Sequence, residues 1–136
     1  METKHFESND EVGMLSACIQ VLQDLGFTIE ESNAKLGLVT ATKDRSAGSE
    51  AEKMMAISFA QANGSQPVYD VSQKIYVTLL STQNRNKGGY NIRISFSNII
   101  TDNMGRTRVR KINNPDIFGD FFNKLSQSLF LTANDI

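Results

Sequence analysis

The sequence predicts an α+β domain in which an antiparallel sheet of about five strands carries the first and last helices on one face. Three observations support this fold class. Apolar residues recur at helical spacing near both ends of the chain, they alternate with polar residues between those ends, and glycine-rich turns separate the alternating runs. The 136 residues, 40% of them hydrophobic, suffice for one buried core but not for two. We therefore expect one globular domain over residues 1–136.

The first helix is predicted to follow Ser8, which together with Glu11 has the spacing of a capping box. The apolar residues that recur behind this cap at helical spacing are Val12, Leu15, Ile19 and Leu22. Gly26 is expected to end the helix, because glycine readily adopts the left-handed conformation found just past a helix C-terminus. We expect residues 1–5 to lead directly into the cap.

Two antiparallel strands are expected next, because the apolar pattern changes from helical spacing to alternation at Phe27. The first strand is predicted over residues 27–31 and the second over residues 36–43, with a short loop at 32–35 between them. Gly37 is expected to mark a bulge or a close approach of two backbones.

Residues 44–70 are predicted to form a helical or loop insertion with a short middle helix, which a second capping box of Ser49 and Glu52 opens. Its large apolar side chains are Met54, Met55, Ile57 and Phe59, and two uses are considered for Met54, Met55 and Phe59. A place in the core is the favoured use for them. The alternative is an adaptable groove for a partner, since methionine conforms to irregular apolar surfaces.

Three strands and a closing helix are predicted in the second half of the chain. The strands are expected over residues 72–82, 90–101 and 106–112, and the second of them has the clearest alternation in the sequence. Asn114 is expected to cap the closing helix, with Pro115 at its first position. The residues expected to form the core are Phe27, Ile29, Val39, Ile75, Val77, Ile92, Ile94, Phe96, Phe118, Phe122 and Leu125.

The net charge of −1 conceals an asymmetry along the chain. Residues 1–68 contain five basic against ten acidic residues, a net charge of −5, whereas residues 69–136 contain nine against five, a net charge of +4. Nucleic acid is not expected as a ligand, because the chain as a whole lacks the basic surplus typical of such proteins.

Four arginines of the second half are the candidate binding residues. Arg106, Arg108 and Arg110 stand two residues apart, so a strand would place them on one face, and Arg93 is predicted to join them from the neighbouring strand. Guanidinium groups bind phosphate and carboxylate through paired hydrogen bonds, so such a stripe is suited to an anion. The favoured alternative is a solvated sheet face paired with acidic residues of the first half.

Residue types that carry catalysis are scarce. Cys18 falls on the apolar side of the first helix, where a buried thiol is expected, and His5 is the only histidine. A metal site of the histidine or cysteine type therefore lacks ligands. We expect no enzymatic activity, no metal and no cofactor. We also expect no transmembrane span, because the hydrophobic runs are shorter than the roughly 18 to 20 residues required.

Three segments carry distinctive motifs. They are Ala17–Lys43 with its LQDLGF and LGLVTA motifs, the strand that ends in IRISF, and Asn114–Leu131 with its paired phenylalanines. Together these segments resemble a group of uncharacterised bacterial lipoproteins. In that group such a domain follows a signal peptide and a lipidated cysteine. The order of elements also resembles the helix-grip accessory lipoprotein domains of the outer-membrane β-barrel assembly machinery.

The resemblance implies a non-enzymatic binding or assembly module on the periplasmic side of a cell-envelope membrane. Such a module would bind a protein or another envelope component, and only a lipidated N-terminus preceding Met1 would anchor it. The groove between helix and sheet, or an exposed edge strand, would provide the binding surface. The alternative is a soluble cytoplasmic domain that binds an anion or nucleic acid through the arginine-bearing strand.

Overall fold

The structure, a computed structural model, describes residues 2–45 and 50–134. Within these residues six strands form one antiparallel sheet and three helices accompany it, which confirms the α+β class. The elements in chain order are β1 (Glu2–Phe6), α1 (Glu11–Asp24), β2 (Thr28–Asn33), β3 (Leu38–Arg45), α2 (Glu50–Asn63), β4 (Asp70–Gln83), β5 (Tyr90–Asp102), β6 (Thr107–Ile112) and α3 (Pro115–Asn134).

Strand β5 has two partners along one side. The sheet runs β2, β3, β4, β5, and beyond β5 the strand β1 pairs with residues 90–94 while β6 pairs with residues 96–101. The expectation that residues 1–5 lead directly into a cap is therefore wrong. The sequence pattern does not predict β1, because Thr3 and His5 on one side of the strand and Lys4 on the other are polar, and only Phe6 is apolar. Pairing with β5 is what makes this segment a strand.

The core lies between the sheet and the helices α1 and α3, which contact each other on one face. The ring of Phe96 lies in its middle, 5.3 Å from the ring of Phe118 and 6.3 Å from that of Phe27, measured between centroids. The predicted core residues are buried, apart from Ile29 and Ile75, which are only partly buried. Two helices on one face, as predicted, therefore enclose one apolar cluster of the described residues.

The start of α1 differs from the predicted capping box. Asp10 is the N-cap and accepts a hydrogen bond from the Gly13 N–H at 2.9 Å. Ser8 lies further out, where its hydroxyl accepts from the Asp10 N–H at 3.1 Å. The Glu11 carboxylate accepts from the Ser81 hydroxyl at 3.0 Å, so it ties the helix to β4 and does not cap it. Aspartate meets the capping requirement as well as serine does, so the N-cap is two residues later than predicted.

Other local predictions are confirmed or corrected. Gly37 does mark a close backbone approach, because a Cβ there would lie 2.5 Å from the Ser81 carbonyl oxygen. Asn114 accepts from the Asp116 N–H at 3.0 Å, as expected for the cap of α3. Helix α2 is longer than the short helix predicted, and Ser49, its predicted cap, lies outside the described residues. The insertion between β3 and β4 is shorter than predicted, since residues 44, 45 and 70 belong to strands.

Candidate binding surfaces

The four candidate arginines do not converge on one site. Arg108 and Arg110 lie opposite Ile100 and Asn98 of β5, and residues directly opposite each other share a face, here the face that carries the helices. Arg106 lies just before β6. Arg93 stands between two buried neighbours in β5, so it projects from the other face. The predicted contribution of Arg93 to the arginine stripe is therefore wrong.

Two of these arginines line a cleft of about 860 Å³ at one end of the sheet. The lining residues come from α2, from its connection to β4, and from the ends of β4, β5 and β6. They are Glu52, Ala56, Val68, Tyr69, Asp70, Asp102, Arg106, Thr107 and Arg108. We call this space the terminal cleft.

Both arginines of the terminal cleft are held in ion pairs. Arg108 Nη2 lies 2.7 Å from Asp70 Oδ1, and Arg106 Nε lies 3.0 Å from Asp102 Oδ2. Both carboxylates belong to the second half of the chain, so the predicted pairing with acids of the first half is wrong for these two residues. Together with Glu52 the cleft carries three acidic and two basic side chains, which leaves it without a surplus of positive charge.

Asp102 organises the turn between β5 and β6. Its carboxylate accepts from the N–H of Met104 at 2.9 Å, from the N–H of Arg106 at 3.0 Å and from the Arg106 guanidinium. Partial burial of the carboxyl works to raise the pKa of Asp102, but these donors and the positive charge of Arg106 outweigh it and hold the pKa below its ordinary value. Asp102 is therefore a structural anion here.

Asn103 attaches the connection between α2 and β4 to that turn. Its backbone N–H donates to the Tyr69 carbonyl at 2.9 Å, its Oδ1 accepts from the Tyr69 N–H at 3.0 Å, and its Nδ2 donates to the Pro67 carbonyl at 3.0 Å. Nearby, the Lys53 ammonium of α2 lies 5.1 Å from the centre of the Tyr69 ring. We call the three hydrogen bonds that Asn103 makes with Pro67 and Tyr69 the Asn103 clamp. The sequence predicts the turn but not the segment that it holds.

Helix α2 turns its apolar side to solvent. The residues on this side, at helical spacing, are Ala51, Met54, Met55, Ser58, Phe59 and Ala62, and all six are exposed. Met54, Met55 and Phe59 are 62%, 72% and 71% exposed. The favoured prediction that these three residues belong to the core is therefore wrong. We call the six residues the α2 stripe.

An apolar hollow of about 470 Å³ adjoins the α2 stripe. Met55 and Phe59 line one side of it, and Val68 of the connection lines the other. Val68 is itself about half exposed, so the apolar surface continues from the helix onto the connection. Large exposed apolar patches on folded domains commonly mark sites of interaction.

The residues considered for catalysis lie apart. Cys18 is buried in the core, and this burial raises the pKa of its thiol to about 12, against a smaller opposing effect of a backbone hydrogen bond. His5 lies in β1 opposite Asn91, and its Nδ1 is 3.0 Å from the Asn91 Oδ1. Within the described residues no group of three or more acidic, histidine or cysteine side chains is placed to hold a metal ion. No helix of the described chain is long and apolar enough to cross a membrane.

At the level of class, these features define an α+β domain whose antiparallel sheet is covered by helices on one face and which carries an exposed apolar helix at one end. No model of a known protein family matches the chain, and no curated protein is significantly similar to it.

Proposed function

We propose that the chain is a non-enzymatic binding or assembly module of the bacterial cell envelope, on the periplasmic side of a membrane, held there by a lipidated cysteine that precedes Met1. The observation that carries the binding role is the α2 stripe, where three large apolar side chains remain exposed beside an apolar hollow. The envelope location is supported by the resemblance of the segments Ala17–Lys43 and Asn114–Leu131 to bacterial lipoproteins.

The state of the reactive groups supports binding over catalysis. A thiol with a pKa near 12 is protonated at neutral pH, so Cys18 is a poor nucleophile. The carboxylates of Asp70 and Asp102 are both engaged by arginines. The lowered pKa of Asp102 favours its charged form over the protonated form that a general acid needs.

The location is tested by determining the mature N-terminus of the native gene product by mass spectrometry, combined with cell fractionation. A diacylated or triacylated cysteine upstream of Met1, in a membrane fraction, is the expected result. An unmodified Met1 in the cytosol would contradict the envelope proposal.

The alternative is a soluble domain that binds an anion, or nucleic acid, through the arginine-bearing strand. The observation that favours it is the Arg108 side chain, which is about half exposed at the terminal cleft although it is paired with Asp70. Binding of inorganic polyphosphate and of a labelled single-stranded oligonucleotide, measured over a range of salt concentrations, tests this function.

The anion alternative predicts that the combined variant Arg106→Ala, Arg108→Ala, Arg110→Ala loses the salt-dependent binding. The matched control is Arg85→Ala with Lys87→Ala, since these two basic residues lie in the turn between β4 and β5, away from the cleft. Equal affinity in the wild type and the triple variant, or no binding at all, would remove the alternative. A loss shared by the control would indicate a general charge effect.

A further inference from the structure

We propose that the partner of this module is a folded protein with an uncharged apolar groove, and that α2 is the helix which the groove encloses. This inference rests on the proposed function and names the class of partner for the same surface.

The spacing of the α2 stripe is that of a buried helix face. Its six residues occupy positions i, i+3, i+4, i+7, i+8 and i+11, the pattern by which a helix normally packs on a core, and none of them is charged. In this chain the pattern faces solvent. Apolar anchors at such positions are the usual basis on which a partner's groove recognises a helix.

The orientation of α2 is set by its opposite side. Ala60 is buried and Ala56 is half-buried, and both line the space between α2 and its connection to β4. The Asn103 clamp holds this connection, and the contact of Lys53 with Tyr69 joins it to the helix. The same packing that buries Ala60 therefore turns the α2 stripe outward.

The area of the stripe argues against a second copy of the chain as the partner. Three side chains of roughly 200 Å² each, exposed by 62% to 72%, offer roughly 400 Å² of surface. A stable interface between two folded proteins needs about 800 Å² on each side, so any protein partner has to cover surface beside the stripe as well. Two convex helices lying side by side bury only part of what they expose. A groove instead surrounds the helix, and it can also cover the hollow beside Val68.

The charge of α2 argues against a lipid surface. Helices that lie on membranes usually combine an apolar face with a polar face rich in lysine and arginine. The charged residues of α2 are Glu50, Glu52 and Lys53, which give the helix a net charge of −1. A neutral groove in a protein matches the uncharged stripe without requiring basic residues.

Photo-crosslinking tests this proposal in the cells that produce the protein. Benzoylphenylalanine is placed in the full chain at one position at a time, at Met54 or Met55 on the stripe and, off the stripe, at the exposed Arg85 or Lys87 in the turn between β4 and β5. We expect the stripe positions to give an adduct with one and the same protein, at least tenfold above the off-stripe positions. With the probe at Met55, Phe59→Ser lowers the yield tenfold or more, whereas Phe59→Leu keeps it.

Several results would overturn the inference. They are adducts only with a second copy of the chain, equal yields on and off the stripe, and no adduct from any stripe position. Binding to vesicles of phosphatidylethanolamine and phosphatidylglycerol that Phe59→Ser abolishes would instead assign the stripe to lipid. An adduct formed only from a probe at Thr107, in the terminal cleft, would keep the binding function and remove the groove. The envelope location is decided separately by the fractionation experiment.

Discussion

At the residue scale, one carboxylate holds the turn between β5 and β6. Asp102 accepts two backbone hydrogen bonds and pairs with Arg106, so the turn between β5 and β6 depends on its negative charge. Because its pKa is lower in the folded chain than in the unfolded one, ionisation of Asp102 favours folding. This contribution is complete above the ordinary aspartate pKa, and it is lost as the pH falls through the folded pKa.

The variant Asp102→Asn keeps an acceptor oxygen but removes the charge, so we expect a lower melting temperature than that of the wild type at pH 7. The difference should narrow as the pH falls below about 4, because the wild-type carboxyl then becomes neutral as well. Melting curves between pH 7 and pH 2 measure this. The control is Asp44→Asn, whose side chain is 89% exposed and lies 3.9 Å from Lys74, and which should change little. A constant difference between Asp102→Asn and wild type at every pH would contradict the role of the charge.

At the element scale, α2 has no extensive contact with the other helices and strands of the described chain. Its position therefore depends on the connection that joins it to β4. The Asn103 clamp joins the end of the connection between α2 and β4 to the sheet. Asn103→Ala removes two side-chain hydrogen bonds, and we expect local opening of α2 to become easier by about 1–2 kcal/mol. Hydrogen exchange should quicken in α2 and residues 64–69 while the central strands stay protected.

The matched control for the clamp is Asn33→Ala. The Asn33 side chain likewise takes part in two hydrogen bonds with the backbone, accepting from the N–H groups of Lys35 and Leu36, but in the hairpin between β2 and β3. It should leave exchange in α2 unchanged. Equal effects of both variants on α2 would show that α2 is held by the stability of the whole domain and not by the clamp.

Strand β1 depends on a glycine in the turn between β4 and β5. Gly88 and Gly89 both have positive φ, 75° and 69°, but a Cβ on Gly88 would meet open space, whereas one on Gly89 would collide with the Phe6 carbonyl oxygen. We expect Gly88→Ala to cost about 1–2 kcal/mol for the left-handed conformation alone. Gly89→Ala should cost more and detach β1, which urea denaturation and exchange of the β1 amides would reveal. Equal costs and a protected β1 in both variants would contradict this.

At the scale of the whole molecule, the features predicted correctly are those that short segments encode. Gly26 ends α1, Pro115 opens α3, and the alternation from 90 to 101 forms a strand, because each depends on local backbone preferences. Apart from the cap of α1, which is Asp10 in place of Ser8, the main errors concern partners distant in sequence. β1 forms because its backbone pairs with β5, for example Phe6 with Tyr90. The sheet face on which Arg93 lies follows from the alternation of buried residues along β5.

For the candidate surface too, short segments encode one part and partners outside the helix decide the rest. The α2 stripe is visible in the sequence as a helical apolar pattern, and this pattern alone predicts burial. Which side of α2 packs is decided by Ala60 and by the Asn103 clamp on the connection beyond the helix. Periodicity indicates that a helix has an apolar face, but it does not indicate which surface that face contacts.

Two phenylalanine variants measure how far the single core extends. Phe96 is 3% exposed at the centre of the aromatic cluster, so Phe96→Ala should cost about 3–5 kcal/mol, much of the roughly 5–15 kcal/mol that stabilises a domain. Phe59 is exposed on the α2 stripe, so Phe59→Ala should change the free energy of unfolding by no more than about 0.5 kcal/mol. Urea denaturation of the purified chain compares the two. A large, concentration-dependent cost for Phe59→Ala would mean that the stripe is buried between copies in solution, because only then would its loss destabilise the folded chain.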